Sequence, residues 1–328
     1  MTVLVTGGAG YIGSHMVHAL VDAGERVVVL DNLATGFDWT VAQGASLVIG
    51  DVGDQPRVAA LIAEHRVDAI IHFAASVVVP DSVRDPHGYS RTKTVNSHAL
   101  IESADKGRVS QYIFSTTAAV YGNPERVPVR EDDATAPTSP YGSSKLMTEI
   151  MLRDAGSAHG LRHVILRYFN VAGADPLGRT GQSTKGATHL IKVSVETALG
   201  LRPKMDVFGI DYPTADGTCI RDYIHVSDLV RAHCDALAYL RGGGESATLN
   251  CGYGRGFSVL EVIETVKRVS GVDFKVAFAG RRAGDSAQIV AASDRARSLL
   301  KWEPHFDDLQ TIVCHALAWE RKLLTRAG

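Results

Sequence analysis

The side chains best suited to acid–base chemistry are Tyr141 and Lys145, which stand four residues apart in the segment 139–145 (SPYGSSK). Pro140 can begin a helix, and residues four apart on a helix share one face. A free phenol has a pKa of about 10, and a lysine has a pKa of similar height, so neither is a base at neutral pH alone. An ammonium group beside the phenol favours the phenolate. The pair therefore predicts a tyrosine general base, although this spacing also arises on helices by chance.

Thr117 is a third candidate for the same chemistry. The segment 111–115 (QYIFS) predicts a strand, which delivers Thr116 and Thr117 to the carboxyl edge of a sheet. The hydroxyl group of Thr117 can hydrogen-bond the substrate oxygen that Tyr141 deprotonates.

A glycine-rich segment near the start of the chain predicts a phosphate-binding site. Residues 3–5 are apolar and predict a strand, and residues 6–13 (TGGAGYIG) follow as a tight turn that opens a helix. Gly7 permits the turn, Gly10 lets the backbone approach a ligand, and Gly13 lets the helix pack on the strand. The free backbone N–H groups at this helix start can bind a pyrophosphate.

Asp31 ends a second apolar segment, 27–30, at about the twenty-residue spacing from the glycines that is typical of dinucleotide sites. An acid at this position holds the adenosine ribose hydroxyls of NAD and would repel the 2′-phosphate of NADP. We therefore predict NAD as the cofactor. The alternative for Asp31 is a turn residue at the end of a strand.

Further strands and helices alternate along the first half of the chain. Strand 46–50 is followed by Asp51, which can accept a hydrogen bond from the adenine amino group. Strand 69–73 is followed by Ala74 and Ala75, whose small side chains let the backbone lie against the cofactor. Such alternation predicts an α/β fold with a Rossmann-type, doubly wound parallel sheet whose ligand lies at the carboxyl ends of the strands.

Two domains are predicted. Residues 1–170 would form the NAD-binding domain and residues 171–328 a smaller α/β domain that binds mainly the substrate, with a segment near 221–240 returning to the first domain. A single long helix is predicted over residues 86–107.

Arg281 and Arg282, with Asp285 shortly after, predict a phosphate clamp with an acceptor for a ribose or sugar hydroxyl. Solvated surface charge is the alternative.

Charge and composition exclude several classes of partner. The net charge is −2 and the basic residues are scattered, so neither a nucleic acid nor an anionic membrane is expected. No apolar stretch is as long as a membrane span, and the chain begins in its first strand without a signal peptide, so we predict a cytoplasmic protein. The cysteines form no C-x-x-C pair, and the close pair His15 and His18 has no third ligand, so no metal site is predicted.

Seven segments carry a family resemblance: TGGAGYIGSH, DNL, HFAA, FSTTAAVYG, SPYGSSK, LRYFNVAGA and DGTCIRDYIHV. Together they resemble the extended short-chain dehydrogenase/reductases and, within them, the UDP-glucose 4-epimerases. The resemblance runs from the first strand to the C-terminal helix. It implies a tightly held NAD, a UDP-sugar substrate and a homodimer joined by helices of the first domain.

The resemblance also implies a mechanism. Tyr141 would take the proton of the sugar 4-hydroxyl while hydride leaves C4 for the nicotinamide, with Thr117 aiding the proton transfer and Lys145 binding the nicotinamide ribose. The 4-keto sugar would swing about its pyrophosphate, and hydride and proton would return to give the opposite configuration.

Residue roles follow from the same resemblance. The residues implied to contact the cofactor are Gly7, Gly10, Tyr11, Ile12, Gly13, Asp31, Asn32, Asp51, Val52, Phe73, Ala74, Ala75, Asn96, Tyr141, Lys145 and Phe169. Those implied to hold the UDP-sugar are Thr117, Tyr141, Asn170, His189, Phe208, Arg221, Arg282 and Asp285, with the two arginines on the diphosphate.

Some positions refine the expected activity. Related dehydratases and decarboxylases carry an acid just after the Ser or Thr, but Ala118 and Ala119 occupy these positions here, which favours epimerisation over elimination. Ile289 stands where some members have a tyrosine. The smaller side chain predicts room for an N-acetyl group and activity on UDP-GlcNAc.

Two departures from the family pattern concern the cofactor. A lysine that some epimerases carry after the fourth strand is absent from residues 76–79. Residues 91–94 (RTKT) replace a usual pair of asparagines ahead of Asn96 and include one extra residue.

Several alternatives to a UDP-glucose 4-epimerase remain open on the sequence. A 4-epimerase of another UDP-sugar, such as a UDP-pentose or UDP-uronate, would use the same chemistry at C4. A net NAD-dependent dehydrogenase would release NADH in each turnover. A non-catalytic, cofactor-sensing regulator could share the fold but has no need of the three reactive residues.

Overall fold

Thirteen strands are present in a computed structural model of the chain, which describes residues 1–74, 82, 84–282 and 284–327. In chain order they are β1 (Thr2–Thr6), β2 (Arg26–Asp31), β3 (Ser46–Ile49), β4 (Ala69–His72), β5 (Gln111–Thr117), β6 (Arg162–Tyr168), β7 (Asn170–Ala172), β8 (Met205–Phe208), β9 (Ile220–His225), β10 (Ala247–Cys251), β11 (Gly256–Ser258), β12 (Val276–Ala279) and β13 (Gln288–Ile289).

The helices of the described residues are α1 (Tyr11–Asp22), α2 (Gln55–His65), α3 (Pro86–Ser90), α4 (Asn96–Lys106), α5 (Pro140–His159), α6 (Leu190–Ala198), α7 (Val226–Arg241), α8 (Val259–Ser270), α9 (Asp294–Leu300) and α10 (Leu309–Ala327). None of them combines the length and the apolar character that a membrane-crossing helix requires.

Seven parallel strands form the central sheet, in the order β10-β6-β5-β4-β1-β2-β3. From β1 the chain moves outward to β3 in one direction, and from β4 it moves outward to β6 and β10 in the other. This reversal opens a crevice at the carboxyl ends of β1 and β4, where doubly wound sheets bind ligands. The predicted Rossmann-type α/β class is confirmed.

The sheet is buried on both faces, which explains its continuous apolar strands. Val3 and Val5 of β1 point to one face, where α1 and α7 pack, and Leu4 points to the other, where α2, α4 and α5 pack. All three side chains are fully buried.

The substrate half is built on smaller sheets. Strand β9 pairs with β7, β11 and β13, and β8 pairs with β12. Helices α6, α8 and α10 share one apolar cluster, whereas α7 packs on α1 and β10 extends the central sheet. The domain boundary near residue 170, and the return of a segment near 221–240 to the first domain, remain predictions.

The long helix predicted over 86–107 has a defect that the sequence pattern did not predict. Helix α3 passes into a π-helical turn, Arg91–Val95, and then into α4, which ends at Lys106. A π-turn accommodates one extra residue in a helix. The segment 91–94, in which an extra residue was predicted, lies within this turn.

Candidate active site

The start of α5 places the two central reactive groups. Ser139 caps the helix by accepting a hydrogen bond from the Gly142 amide (3.2 Å), and Pro140 occupies the first turn. Tyr141 and Lys145 therefore lie one turn apart and are both buried, with 8% and 5% of their surfaces exposed.

Thr117 lies at the carboxyl end of β5 and hydrogen-bonds the Tyr141 phenol. The structure thus brings together all three predicted catalytic residues. Ala118 and Ala119 begin the short helical turn that follows, whose first turn Thr117 caps by accepting from the Ala119 amide (3.1 Å). No carboxylic acid stands at these positions.

Among the influences of the protein's own groups, burial has the largest effect on the ionisation of Tyr141 and Lys145. Burial raises the pKa of Tyr141, and the hydrogen bond with Thr117 offsets this only in part. The Lys145 amino group donates to the Ser115 carbonyl (2.9 Å), and burial lowers its pKa to about 8, although the charge of Glu149 acts in the opposite direction. The phenolate expected from the sequence therefore needs more positive charge than Lys145 supplies.

Glu149 continues the same helical face, four residues beyond Lys145, and the sequence analysis missed it. It is fully buried and forms an ion pair with Arg167 of β6 (Nη2–Oε2, 2.6 Å). Thr116 also donates to its carboxylate (3.0 Å). The Tyr-x₃-Lys-x₃-Glu spacing was a signal for this position, but its partner was not predictable from spacing.

Two positions of the glycine loop accept no side chain, because an added Cβ atom would clash with nearby backbone atoms. A Cβ atom at Gly13 would lie 2.0 Å from the Gly7 carbonyl oxygen, and one at Gly7 would lie 2.6 Å from the Ala74 amide nitrogen. Gly7 also has a positive φ of 73°. Within the described residues no side chain caps the start of α1 at Gly10, so its N–H groups are available to a ligand.

Asp31 ends β2 beside this loop and is buried, with 8% of its surface exposed. Its carboxylate accepts hydrogen bonds from the Ala9 amide (2.9 Å) and the Leu33 amide (2.8 Å). Each oxygen keeps a lone pair that a ribose hydroxyl could use. Asp31 therefore holds the glycine loop through the Ala9 amide and also has lone pairs for the predicted ribose.

Three predicted cofactor residues from distant parts of the chain form one cluster. The Asp51 carboxylate accepts hydrogen bonds from the Asn96 side chain (2.7 Å) and the Asn32 side chain (3.1 Å). Val52, which follows Asp51 in the sequence, is buried. The cluster lies beyond the ends of β2 and β3, as expected for an adenosine site.

The remaining cofactor predictions have mixed outcomes. The Phe73 ring packs on His233 of α7 at 4.9 Å between centroids, and Phe169 is buried beside Ile289. The Tyr11 hydroxyl donates to the Gly173 carbonyl (2.7 Å), so this phenol is engaged within the fold, and Ile12 packs against the core. Ala75 lies outside the described residues, as does the segment 76–79.

Four predicted substrate residues lie in two contacting pairs. The Arg282 guanidinium carbon lies 3.8 Å from the centroid of Phe208, and Arg221 lies 3.7 Å from the Asp285 carboxylate. Arg281, by contrast, pairs with Asp211 (2.7 Å), and the predicted clamp of 281 and 282 stays a prediction.

Asn170 and His189 line a narrow cavity together with Gln182 and Tyr223. Nδ1 of His189 accepts a hydrogen bond from the Gln182 amide (2.7 Å), and burial lowers the pKa of His189. The imidazole is therefore neutral, and its other nitrogen carries a proton that can be donated.

The described residues contain no group of three or more His, Cys, Asp or Glu side chains arranged to hold a metal ion.

The site thus combines a glycine loop, an acid that ends β2 and a Thr–Tyr–Lys centre. The chain belongs to the NAD dependent epimerase/dehydratase family, whose model matches residues 3–252.

Individual relatives are similar over almost the whole chain. The UDP-glucose 4-epimerase of Azospirillum brasilense is 57% identical over 326 residues, which cover 99% of this chain and 94% of that protein. The crystal structure of UDP-glucose 4-epimerase from Brucella ovis in complex with NAD is 42% identical, with a TM-score of 0.94 and coverage of 97% of both chains. The UDP-Glc/GlcNAc 4-epimerase from Campylobacter jejuni is 46% identical, with a TM-score of 0.86 and coverage of 98% of this chain and 99% of that one. The resemblance to the epimerases is confirmed.

Proposed function

We propose that this chain interconverts UDP-glucose and UDP-galactose by transient, NAD-mediated oxidation at C4 of the sugar. The observation that carries the proposal is the contact of Thr117 with Tyr141, one helical turn from Lys145, at the sheet edge that also holds the glycine loop. Relatives named UDP-glucose 4-epimerase, at up to 57% identity, support the same reaction.

The cofactor is NAD, and the glycine loop, Asp31 and the cluster of Asn32, Asp51 and Asn96 would hold it. When bound, it supplies a hydride acceptor at C4 and a positive charge near the phenol.

Tyr141 acts as the general base that removes the proton of the 4-hydroxyl and later returns it. Thr117 holds the phenol and the sugar oxygen in one hydrogen-bonded arrangement. Lys145 donates a hydrogen bond to the Ser115 carbonyl, which fixes its amino group one helical turn from Tyr141. Since Ala118 and Ala119 cannot donate or accept a proton, the site has no group there for elimination.

The direct test is to incubate the purified protein with UDP-galactose, without added NAD, and to separate the products by chromatography. Formation of UDP-glucose without accumulation of NADH would support a retained cofactor and epimerisation. Accumulating NADH would instead indicate a net dehydrogenase. No conversion, even after NAD is supplied, would contradict the proposal and direct the search to UDP-pentoses and UDP-uronates.

Activity on N-acetylated sugars is a finer part of this proposal. Ile289 of β13 pairs with Arg221 of β9. It shares a buried apolar cluster with Phe169 and with Ala118, which directly follows Thr117 at the end of β5. Its side chain is smaller than a tyrosine, which supports a sugar pocket with room for an acetamido group. The solved structure of a UDP-Glc/GlcNAc 4-epimerase among the relatives supports the same view.

Replacing Ile289 with tyrosine is expected to reduce kcat/KM for UDP-GlcNAc at least about tenfold, because a clash with one added group costs about 1–3 kcal/mol. The rate with UDP-galactose should change little. The measurement is the ratio of kcat/KM for the two sugars, with Ile289→Leu as a control of similar volume. An unmodified protein that does not turn over UDP-GlcNAc at all would rule the idea out.

We also infer a homodimer. Val95, Met147 and Ile150 are large apolar side chains that are 58%, 50% and 45% exposed on the adjoining surfaces of the π-turn and α5. A second copy of the same helices would bury them, since such patches mark interaction sites. Light scattering should give twice the mass of one chain, and a monomeric mass would contradict the inference.

A cytoplasmic location is proposed as well. All four cysteines are free thiols, and two of them, Cys219 and Cys251, are buried. Free thiols are the usual state in a reducing compartment. Cell fractionation with an antibody to the protein would test the location.

A further inference from the structure

Trp39 is a half-buried tryptophan in the segment 37–40, which lies beyond β2 and beside the glycine loop. The Ala9 carbonyl of the glycine loop accepts two hydrogen bonds from this segment, one from the Phe37 amide (3.0 Å) and one from the Thr40 hydroxyl (2.9 Å). The Ala9 amide in turn donates to Asp31 (2.9 Å). The segment that carries Trp39 is therefore bonded to the backbone of the predicted pyrophosphate site.

Two side chains of the C-terminal helix α10 contact the Trp39 ring. The Arg326 guanidinium carbon lies 4.0 Å from the Trp39 ring centroid, and the Trp319 ring stacks on Trp39 at 6.3 Å between centroids. The Phe37 ring adds a third contact at 5.3 Å. A cation over an indole ring and paired aromatic rings are both favourable arrangements. Helix α10 thus holds the segment 37–40 from outside.

Helix α10 is itself firmly anchored. Trp319 is buried, with 5% of its surface exposed, and a Cβ atom at Gly181 would lie 2.3 Å from its ring. The next residue, Glu320, forms a buried ion pair with Lys192 of α6 (2.5 Å). The contacts of Trp39 therefore join the segment 37–40 to a fixed support in the substrate half of the chain.

We propose that Trp39, Trp319 and Arg326 are positioning residues that hold the segment 37–40, and with it the glycine loop, in the NAD-binding arrangement and so slow the release of NAD. The inference rests on the proposed function and its cofactor site. An epimerase needs this retention, because a cofactor that left halfway through a turnover would leave the sugar in its 4-keto form.

The physical reason is the entropy of the loop. A segment that is held in its bound conformation costs NAD less ordering on binding than a mobile one. The effect should be confined to the cofactor. Val41 and Ala42, which follow the segment, pack on the α1 face of the sheet, whereas α5 with Tyr141 and Lys145 packs on the other. Loss of the contacts should therefore change NAD affinity and leave the chemical step in place.

The experiment compares the holoenzyme with its Trp39→Leu and Arg326→Met variants. The first readout is the rate at which NAD leaves the protein, measured as the NAD retained after gel filtration at increasing times. This rate should rise about tenfold in Trp39→Leu and less in Arg326→Met. The apparent KM for NAD should rise with it, while kcat with UDP-galactose at saturating NAD stays the same. A lower kcat with unchanged NAD release would overturn the proposal.

The second readout is hydrogen exchange at the Phe37 amide, measured in holoenzymes of equal NAD content. Exchange should be faster in Trp39→Leu, because the bond to the Ala9 carbonyl opens more often. Neither NAD release nor exchange needs a UDP-sugar. Faster release and exchange in a protein that does not convert UDP-galactose would support the role of Trp39 and contradict the proposed function.

Further variants separate the stack from a general loss of packing. Trp39→Phe and Arg326→Lys keep a ring and a charge, and both should retain most of the NAD. The double variant Trp39→Leu with Arg326→Met should release NAD no faster than Trp39→Leu, because Arg326 acts through the indole.

The matched control is Arg297→Met. It removes an arginine whose guanidinium carbon lies 5.5 Å from the Trp302 ring centroid in α9, and it should leave NAD release unchanged. Unchanged NAD release and Phe37 exchange in Trp39→Leu, or equal acceleration in Arg297→Met, would overturn the proposal.

Discussion

Replacing Tyr141 with phenylalanine is expected to lower kcat about a thousandfold, because general acid–base catalysis contributes about 10²–10⁴ to a rate. The phenylalanine ring fills the same buried site, and only the hydrogen bond with Thr117 is lost, which costs about 1 kcal/mol of folding free energy. The fold and the NAD content of the purified protein should therefore be unchanged. Single-turnover kinetics with UDP-galactose, alongside cofactor quantification, would measure the effect.

A matched control is Tyr112, a fully buried tyrosine of β5 whose hydroxyl has no hydrogen-bond partner among the described residues. Tyr112→Phe removes the same atom from β5, away from the helix that carries Tyr141, and should leave kcat unchanged. Full activity in Tyr141→Phe would exclude the phenol as the base, whatever the control shows.

Replacing Arg167 with methionine is expected to lower the free energy of unfolding by about 3 kcal/mol, because it removes the closer partner of a buried carboxylate and leaves only Arg153 at 3.6 Å among the described residues. Arg167 is 3% exposed and Glu149 is fully buried. The guanidinium also donates to the Tyr121 hydroxyl (2.9 Å) and the Glu131 carbonyl (3.3 Å). Urea unfolding at equal NAD content is the measurement, since bound cofactor itself stabilises the folded state.

The double variant Arg167→Met with Glu149→Met should regain most of this loss, because an apolar pair of similar volume can replace a buried ion pair. Lys106→Met breaks an exposed pair with Glu102 and should leave the free energy of unfolding nearly unchanged. A loss in Arg167→Met no larger than that of this surface control would show that Thr116 and Arg153 satisfy Glu149 instead.

The same ion pair shows where the sequence was insufficient. The position of Glu149 follows from helical spacing, four residues beyond Lys145, but Arg167 belongs to another element, β6, 18 positions further along the chain. Whether a charge is buried, and what neutralises it, depends on how different elements pack on one another. The pairing of Arg281 with Asp211 is a second example, since the two are separated by 70 positions.

The sequence by itself determined the features that depend on short-range geometry. The glycine turn between β1 and α1, the acid that ends β2 and the shared face of Tyr141 and Lys145 all follow from the periods of strands and helices. The alternation of strands and helices was sufficient for the parallel sheet.

Only the tertiary structure decided the electrostatics. It joined Asn32, Asp51 and Asn96 into one cluster and buried Tyr141 so that its pKa rises. These properties depend on which groups lose water and which charges become neighbours. Both are set by contacts between distant segments, and residue spacing along the chain does not specify them.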